Sequence, residues 1–84
     1  MLEKVGITEC GKYVIGGIYQ YKATHGLPLD IICEDLKSKG FVPSFFHYYV
    51  DGMKQGANSR ALLTEIEHIR PGFSDMLAEK LGLT

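Results

Sequence analysis

Pairs of metal-ligating side chains at helical spacing are the first candidates for chemistry in this 84-residue chain. His47 and Asp51 are four residues apart, and Glu65 and His68 have the three-residue spacing that di-iron helical bundles use. Those bundles need two Glu-x-x-His motifs and two further glutamates, whereas this chain offers a single motif. We therefore interpret both pairs as surface pairs and expect neither a metal ion nor another cofactor.

The glycine spacing near the N-terminus matches most of a phosphate-binding loop. Gly6 and Gly11 are separated as in that motif, and Lys12 follows. Tyr13 then stands where a serine or threonine would hold magnesium. Only five residues precede Gly6, which is too few for the buried strand that such a loop follows. We interpret the match as chance spacing in a chain with 10 glycines.

The two cysteines are the remaining candidates for chemistry. Cys10 and Cys33 form neither a C-x-x-C motif nor a paired zinc pattern. On a shared helix, Cys10 would lie about four turns from His25, too far for the histidine to activate the thiol. We therefore predict that the protein is not an enzyme. We expect both cysteines to be small buried side chains in a reducing cytoplasm.

The N-terminal sequence lacks the pattern of a signal peptide. Every apolar run is interrupted well before the ~18 residues that a membrane span needs. The sequence therefore predicts a cytoplasmic protein without membrane insertion.

The charge balance bears on nucleic-acid binding. Nine Lys and Arg against ten Asp and Glu give a net charge of −1, whereas nucleic-acid-binding domains are usually basic. Two stretches still resemble a helix-turn-helix. In residues 32–49, Leu36 stands where the motif needs a small residue, and Lys54 is the only formal cation of the second helix. In residues 77–84, Ala78 and Gly82 fit, but the sequence then stops. Nucleic-acid binding is therefore the alternative function rather than the expected one.

Aromatic side chains are concentrated in one segment. Five of the nine aromatic residues lie between positions 41 and 49, and one helix cannot bury all of them. If Phe45, Phe46 and Tyr49 face the core, Tyr48 points sideways, as does Phe41 ahead of the helix. We take Phe41, Phe45 and Tyr48 as a candidate interface. The alternative is that these rings wrap a small core.

The Tyr48→Ala variant separates these two interpretations. An interface role predicts weaker association with a melting temperature that changes by only a few degrees. Unfolding of the variant would instead make Tyr48 a core residue.

The elements that would position these residues are predominantly helical. Apolar periodicity and glycine stops predict an all-α bundle of four to five short helices in one domain over residues 1–84. The clearer helices are expected over residues 28–39, 43–55 and 59–69, and from Ser74 or Asp75 to the residue before Gly82. Asn58 is the expected N-cap of the third of these.

Each of these helices has an expected core face. Residues 28–39 carry an apolar stripe of Leu29, Ile32, Cys33 and Leu36. The segment over residues 43–55 has the strongest pattern, formed by Val42, Phe45, Phe46, Tyr49, Val50 and Met53. Residues 59–69 present Leu62, Leu63 and Ile66 to the core.

The first segment allows two interpretations. Thr8 could cap a helix over residues 9–24, and we favour that prediction. The alternative is an α+β fold with a β-hairpin whose strands, residues 13–15 and 18–21, flank a turn at Gly16-Gly17. Two glycines in mid-helix would cost roughly 1 kcal/mol each, but a lone two-stranded ribbon is only marginally stable.

By elimination, the sequence favours a small cytosolic regulatory protein that acts by binding another protein. An accessory regulator of a phage or mobile element is one setting for such a chain. A homodimer is a further expectation, because low net charge favours association and a two-fold axis would cover an aromatic patch. The alternative is a nucleic-acid-binding protein of the helix-turn-helix type.

Overall fold

The computed structural model of the chain describes residues 2–82, which form five helices and a three-stranded sheet. The order of elements is β1 (Glu3–Ile7), β2 (Tyr13–Gly16), α1 (Ile18–His25), α2 (Leu29–Ser38), β3 (Val42–Pro43), α3 (Phe45–Lys54), α4 (Ser59–Ile69) and α5 (Phe73–Leu81). The expectation of an all-α fold is therefore partly wrong, and the α+β alternative fits. No helix within this part of the chain is long and apolar enough to cross a membrane.

The N-terminal segment is a hairpin rather than a long helix, and its turn lies earlier than expected. β1 pairs antiparallel with β2, with Ile7 opposite Tyr13. Thr8 closes the turn, because its N–H donates to the carbonyl of Lys12 at 2.8 Å and its hydroxyl accepts the N–H of Lys12 at 3.0 Å. Gly11 takes the positive φ of 86° that this turn requires.

The Gly16-Gly17 pair forms the junction between β2 and α1, not a hairpin turn. A Cβ atom on Gly16 would lie 2.7 Å from Cγ1 of Val5, so a side chain at this position would collide with β1. Gly17 has a φ of 77° and precedes the first turn of α1. The helix predicted over residues 9–24 is therefore wrong. The segment contains a strand that ends at the two glycines and a shorter helix that follows them.

The sheet places the starts of α1 and α3 side by side. β3 follows α2 and pairs parallel with β2, with Val42 opposite Val14. The N–H of Ser44 donates to the carbonyl of Ile15 at 2.8 Å and extends this pairing to the edge of α3. Ser44 then caps α3, because its hydroxyl accepts the N–H of His47 at 3.3 Å.

The apolar periodicity of α2 and α4 is confirmed. The four predicted core residues of α2 are buried: Leu29, Ile32, Cys33 and Leu36. In α4, Leu62 and Ile66 are buried and Leu63 is half-buried. The predicted cap is also present, since Oδ1 of Asn58 accepts the N–H of Ala61 at 3.1 Å.

The expected core face of α3 is confirmed at Phe45 and wrong at Met53, whereas Phe46 and Tyr49 pack against the core without being fully buried. The structure buries Phe45, Tyr48 and Gly52, whereas Met53 is 45% exposed. A Cβ atom on Gly52 would lie 2.8 Å from Cδ1 of Leu62, so α3 and α4 approach each other at a glycine. A glycine contributes nothing to apolar periodicity, and the pattern therefore favoured the neighbouring face.

The last helix begins at Phe73, ahead of the predicted Ser74 or Asp75. Phe73 is buried, and its ring meets that of Phe45 edge-on at 6.1 Å. Gly72 precedes it with a φ of 90°. A buried aromatic residue therefore occupies the first helical position, and the polar residues expected to begin the helix lie inside it.

Candidate functional site

In the structure, one residue of each pair that was considered as a metal ligand, His47 and Glu65, contacts a buried residue of the fold. Nδ1 of His47 lies 2.6 Å from the hydroxyl of Ser44, the residue that caps α3. Glu65 is half-buried, and its Oε1 accepts a hydrogen bond from the hydroxyl of the buried Tyr48. Within residues 2–82, no group of three or more His, Cys, Asp or Glu side chains is placed to hold a metal ion.

Ser44 and His47 have the contact of a nucleophile and a base, but their surroundings favour a structural role. Ser44 is 7% exposed, so a substrate has little access to its hydroxyl. That hydroxyl already accepts the backbone N–H of His47 at the first turn of α3. The pair therefore matches an N-cap, which is the usual place for a serine before a helix.

The two cysteines differ in their environments. Cys33 is 1% exposed, and burial raises the pKa of its thiol to about 11. Cys10 is exposed in the hairpin turn, so its predicted burial is wrong. The Thr8 hydroxyl, which lies 3.2 Å from Sγ of Cys10, lowers the pKa of that thiol. The two sulfurs do not form a disulfide.

Two of the three candidate interface residues belong to the core. Phe45 is 6% exposed and Tyr48 is 1% exposed, which corrects the expectation that Tyr48 points sideways. Phe41 is half-buried and packs against the same core. The three rings therefore do not form one exposed aromatic patch, and an interface role for Phe41 stays a prediction.

The helix-turn-helix prediction is also corrected for residues 32–49. α2 and α3 are separated by β3, which pairs with β2, so a strand replaces the tight turn. Phe45 and Tyr48 of the expected recognition helix point into the core. In the C-terminal stretch, Leu83 and Thr84 lie outside the described residues.

A hydrogen bond and an ion pair at Glu65 connect the core to the surface at the middle of α4. The buried Tyr48 donates its hydroxyl to Oε1 of Glu65, and Oε2 of Glu65 lies 3.5 Å from Nζ of Lys22. Burial first, and then the hydrogen bond to Glu65, raises the pKa of the Tyr48 phenol well above its usual range. The phenol therefore stays protonated and remains a donor, which holds the Glu65 carboxylate in one orientation.

Beside this chain of contacts is a groove of about 430 Å³ between the start of α2 and the second half of α4, which we call the α2–α4 groove. Its apolar lining comprises Leu27, Pro28, Leu29 and Ile69. Its polar lining comprises Lys22, Asp30, Glu65 and His68. The volume falls within the roughly 300–1,000 Å³ typical of ligand sites, and the mixture of apolar and convergent polar groups is also typical.

The exposed apolar side chains single out this groove further. Leu27, which lines it, is 40% exposed, and Ile31 in the first turn of α2 is 47% exposed. Ile7 and Tyr13 are exposed on the hairpin, where Nζ of Lys4 lies 4.0 Å over the Tyr13 ring. Met53 on α3 is 45% exposed as well. Of these five side chains, Leu27 lines the α2–α4 groove, and the others lie outside it.

A second depression of about 490 Å³ lies on the other side of His68, along the outer face of α4. It is lined by Arg60, Leu63, Thr64, Glu67, His68 and Ser74. The carboxylate of Glu67 is already engaged, since it accepts backbone N–H groups at the start of α5. None of the large exposed apolar side chains of the described residues lines this depression, so it carries less evidence of ligand binding than the α2–α4 groove.

Sequence reasoning missed the groove, although one signal was present. Leu27 is a large apolar residue between a glycine stop and Pro28, where a loop residue is normally polar. From the sequence, Glu65 is interpreted as a member of a surface pair, because its contact with Tyr48 joins residues that are 17 positions apart and leaves no local signal. Comparisons with protein-family models, curated proteins and solved structures find no match.

Proposed function

We propose that this protein is a small interaction module that binds another protein through the α2–α4 groove. The observation that carries the proposal is the exposure of Leu27 in a concave site with a charged rim. Protein interfaces have this arrangement, with an apolar centre that is desolvated on binding and a polar rim. A regulatory role, exerted by occupying a partner's surface, is consistent with such a site.

The sign of the rim charges favours a protein over a nucleic acid. Asp30 and Glu65 carry negative charge, and Lys22 is paired with Glu65. A phosphate backbone would meet two carboxylates at this site, whereas nucleic-acid sites need cations. Ile31, the residue after Asp30, is also exposed, and this additional apolar side chain favours a partner larger than the groove itself.

Photo-crosslinking in the native cells tests the proposal. Benzoylphenylalanine would replace Leu27 in one variant and Ile7 in a control variant, since both side chains are exposed but only Leu27 lines the groove. We expect a defined covalent adduct with a protein from position 27 and none from position 7. The adduct should disappear when Ile69, on the opposite wall, is changed to Asp.

Two results would contradict the proposal. Equal adducts from positions 27 and 7 would indicate non-specific collision. An adduct from position 7 alone would move the binding surface to the hairpin. The melting temperature of each variant, measured by circular dichroism, must match that of the unmodified protein for the comparison to be valid.

A further inference from the structure

The charges around the α2–α4 groove are unequal. Among the groups that line it, Asp30 and Glu65 are acidic and Lys22 is basic, while His68 is counted as neutral at pH 7. Lys22 is already directed at Glu65, with 3.5 Å between Nζ and Oε2. Asp30 is exposed, and it pairs with no lysine or arginine in the part of the chain that the structure describes. The groove therefore presents a carboxylate without a cationic partner.

Both carboxylates already accept a hydrogen bond and keep unused acceptor capacity. Oδ1 of Asp30 accepts the N–H of Ile31 at 3.0 Å, which leaves Oδ2 available. Glu65 receives one contact on each oxygen, from Tyr48 and Lys22, whereas an ionised carboxylate offers about four lone-pair sites. A donor that enters the groove thus meets carboxylate oxygens with free lone pairs on Asp30 and Glu65.

The apolar lining of the groove comes from two parts of the chain, the start of α2 with the loop before it, and the end of α4. Leu27 and Pro28 come from that loop, and Ile69 comes from the end of α4. Desolvating this surface requires an aliphatic or aromatic group. A ligand that satisfies the whole groove therefore combines an apolar group with a cation.

We propose that the groove recognises a peptide segment of its partner in which a Lys or Arg side chain lies next to an aliphatic or aromatic one. The apolar side chain packs on Leu27 and Ile69, and the cation binds Asp30 and the outer lone pairs of Glu65. The proposal rests on the proposed function and names the chemistry of its partner. An acidic segment would be repelled by the same two carboxylates.

Selection from a phage-displayed random-peptide library against the immobilised full-length protein tests the inference. The enriched peptides should combine Lys or Arg with an apolar residue, and they should shift the amide resonances of Leu27, Asp30 and Ile69. For the best peptide, Asp30→Asn should weaken binding by about tenfold, since it removes a charge-assisted hydrogen bond. Added salt should weaken binding as well.

Glu34→Gln is the matched control. Glu34 is exposed on the same helix, one turn beyond Asp30, and does not line the groove. The variant removes the same charge and should change the affinity by less than about twofold. Equal losses in the two variants would show a general charge effect and would overturn the inference.

The outcome of the selection distinguishes a failure of this inference from a failure of the proposed function. Neutral or acidic peptides that shift the groove resonances would overturn the basic-apolar chemistry and leave the protein-binding function standing. Peptides that shift resonances only outside the groove, or a selection that enriches none, would overturn both.

Discussion

At the scale of single residues, Tyr48 connects the core to the groove. Its ring packs edge-on against that of Tyr19 at 5.7 Å, and its hydroxyl reaches Glu65 on α4. A buried phenol needs such a partner, because an unpaired hydroxyl in an apolar environment is costly. The residue therefore contributes packing through its ring and orientation through its oxygen.

Two substitutions at Tyr48 separate those contributions. Tyr48→Ala should reduce the free energy of unfolding by about 3–5 kcal/mol, as is usual for removing a buried aromatic ring. At about 4–8 °C per kcal/mol for a domain of this size, the melting temperature should fall far beyond the few degrees that an interface role predicts. Tyr48→Phe should cost only about 1 kcal/mol, because water can reach the partly exposed Glu65 in its place.

The control for Tyr48 is Tyr13→Ala, since Tyr13 is 41% exposed on the hairpin. Thermal unfolding followed by circular dichroism should show this variant close to the unmodified protein. A Tyr48→Ala protein that melts as late as the Tyr13→Ala protein would return Tyr48 to the surface and contradict the structure.

At the scale of elements, α5 depends on α4 for its N-terminal cap. The Glu67 carboxylate accepts the N–H of Gly72 at 2.8 Å and the N–H of Ser74 at 2.9 Å. These N–H groups lie at the positive end of the helix dipole, where a negative charge is stabilising. They lower the pKa of Glu67 below its usual value of 4.5.

Glu67 should therefore make stability depend on pH in the acid range. A carboxyl group with a lowered pKa in the folded state contributes stability above its unfolded pKa and loses it as the pH falls through the folded value. Glu67→Gln should accordingly lower the melting temperature at about pH 7, and the difference should shrink as the pH falls below the usual value of 4.5 and through the lowered pKa of the folded state. Thermal unfolding across this range measures both.

Glu79→Gln provides the comparison for Glu67, because Glu79 is exposed on α5 and lies far from its N-terminus. Its melting temperature should follow that of the unmodified protein over the same range. A Glu67→Gln protein with a constant deficit at every pH would mean that hydrogen-bond geometry, not charge, supports the cap.

Elements with local signals were predictable from the sequence, and those fixed by distant contacts were not. Asn58 caps α4 through a hydrogen bond to a residue three positions away, so the sequence alone places that start. The hairpin depends instead on Gly16 fitting beneath Val5, and the face of α3 on Gly52 fitting beside Leu62. A glycine leaves no apolar trace in the sequence when its role is to let two elements approach.

The position of the groove also depends on contacts between residues that are distant in the sequence. Leu27 and Ile69 are 42 positions apart in the sequence. They line the same groove because α2 and α4 pack on the same core. Residue types could therefore suggest protein binding, but they could not place its surface. The aromatic residues between positions 41 and 49 contribute to the core on which α2 and α4 pack.

At the scale of the whole molecule, the hairpin and the helical core should open separately. β1 lies at the edge of the sheet and pairs with β2, and four of its five residues are exposed. α4, in contrast, buries Leu62 and Ile66. Local opening costs least where few apolar side chains are buried. Native-state hydrogen exchange should therefore show the β1 amides exchanging well before those of α4.

The same exchange experiment, repeated with a bound peptide, identifies the elements that binding stabilises. A groove-binding peptide should slow exchange in α2 and α4 and leave the β1 amides unchanged, because the groove is lined by residues of α1, α2, α4 and the loop before α2. Equal protection of β1 and α4 in the free protein would mean that the chain opens as one cooperative unit. In that case the hairpin would be an integral part of the core, and its loss would abolish the groove as well.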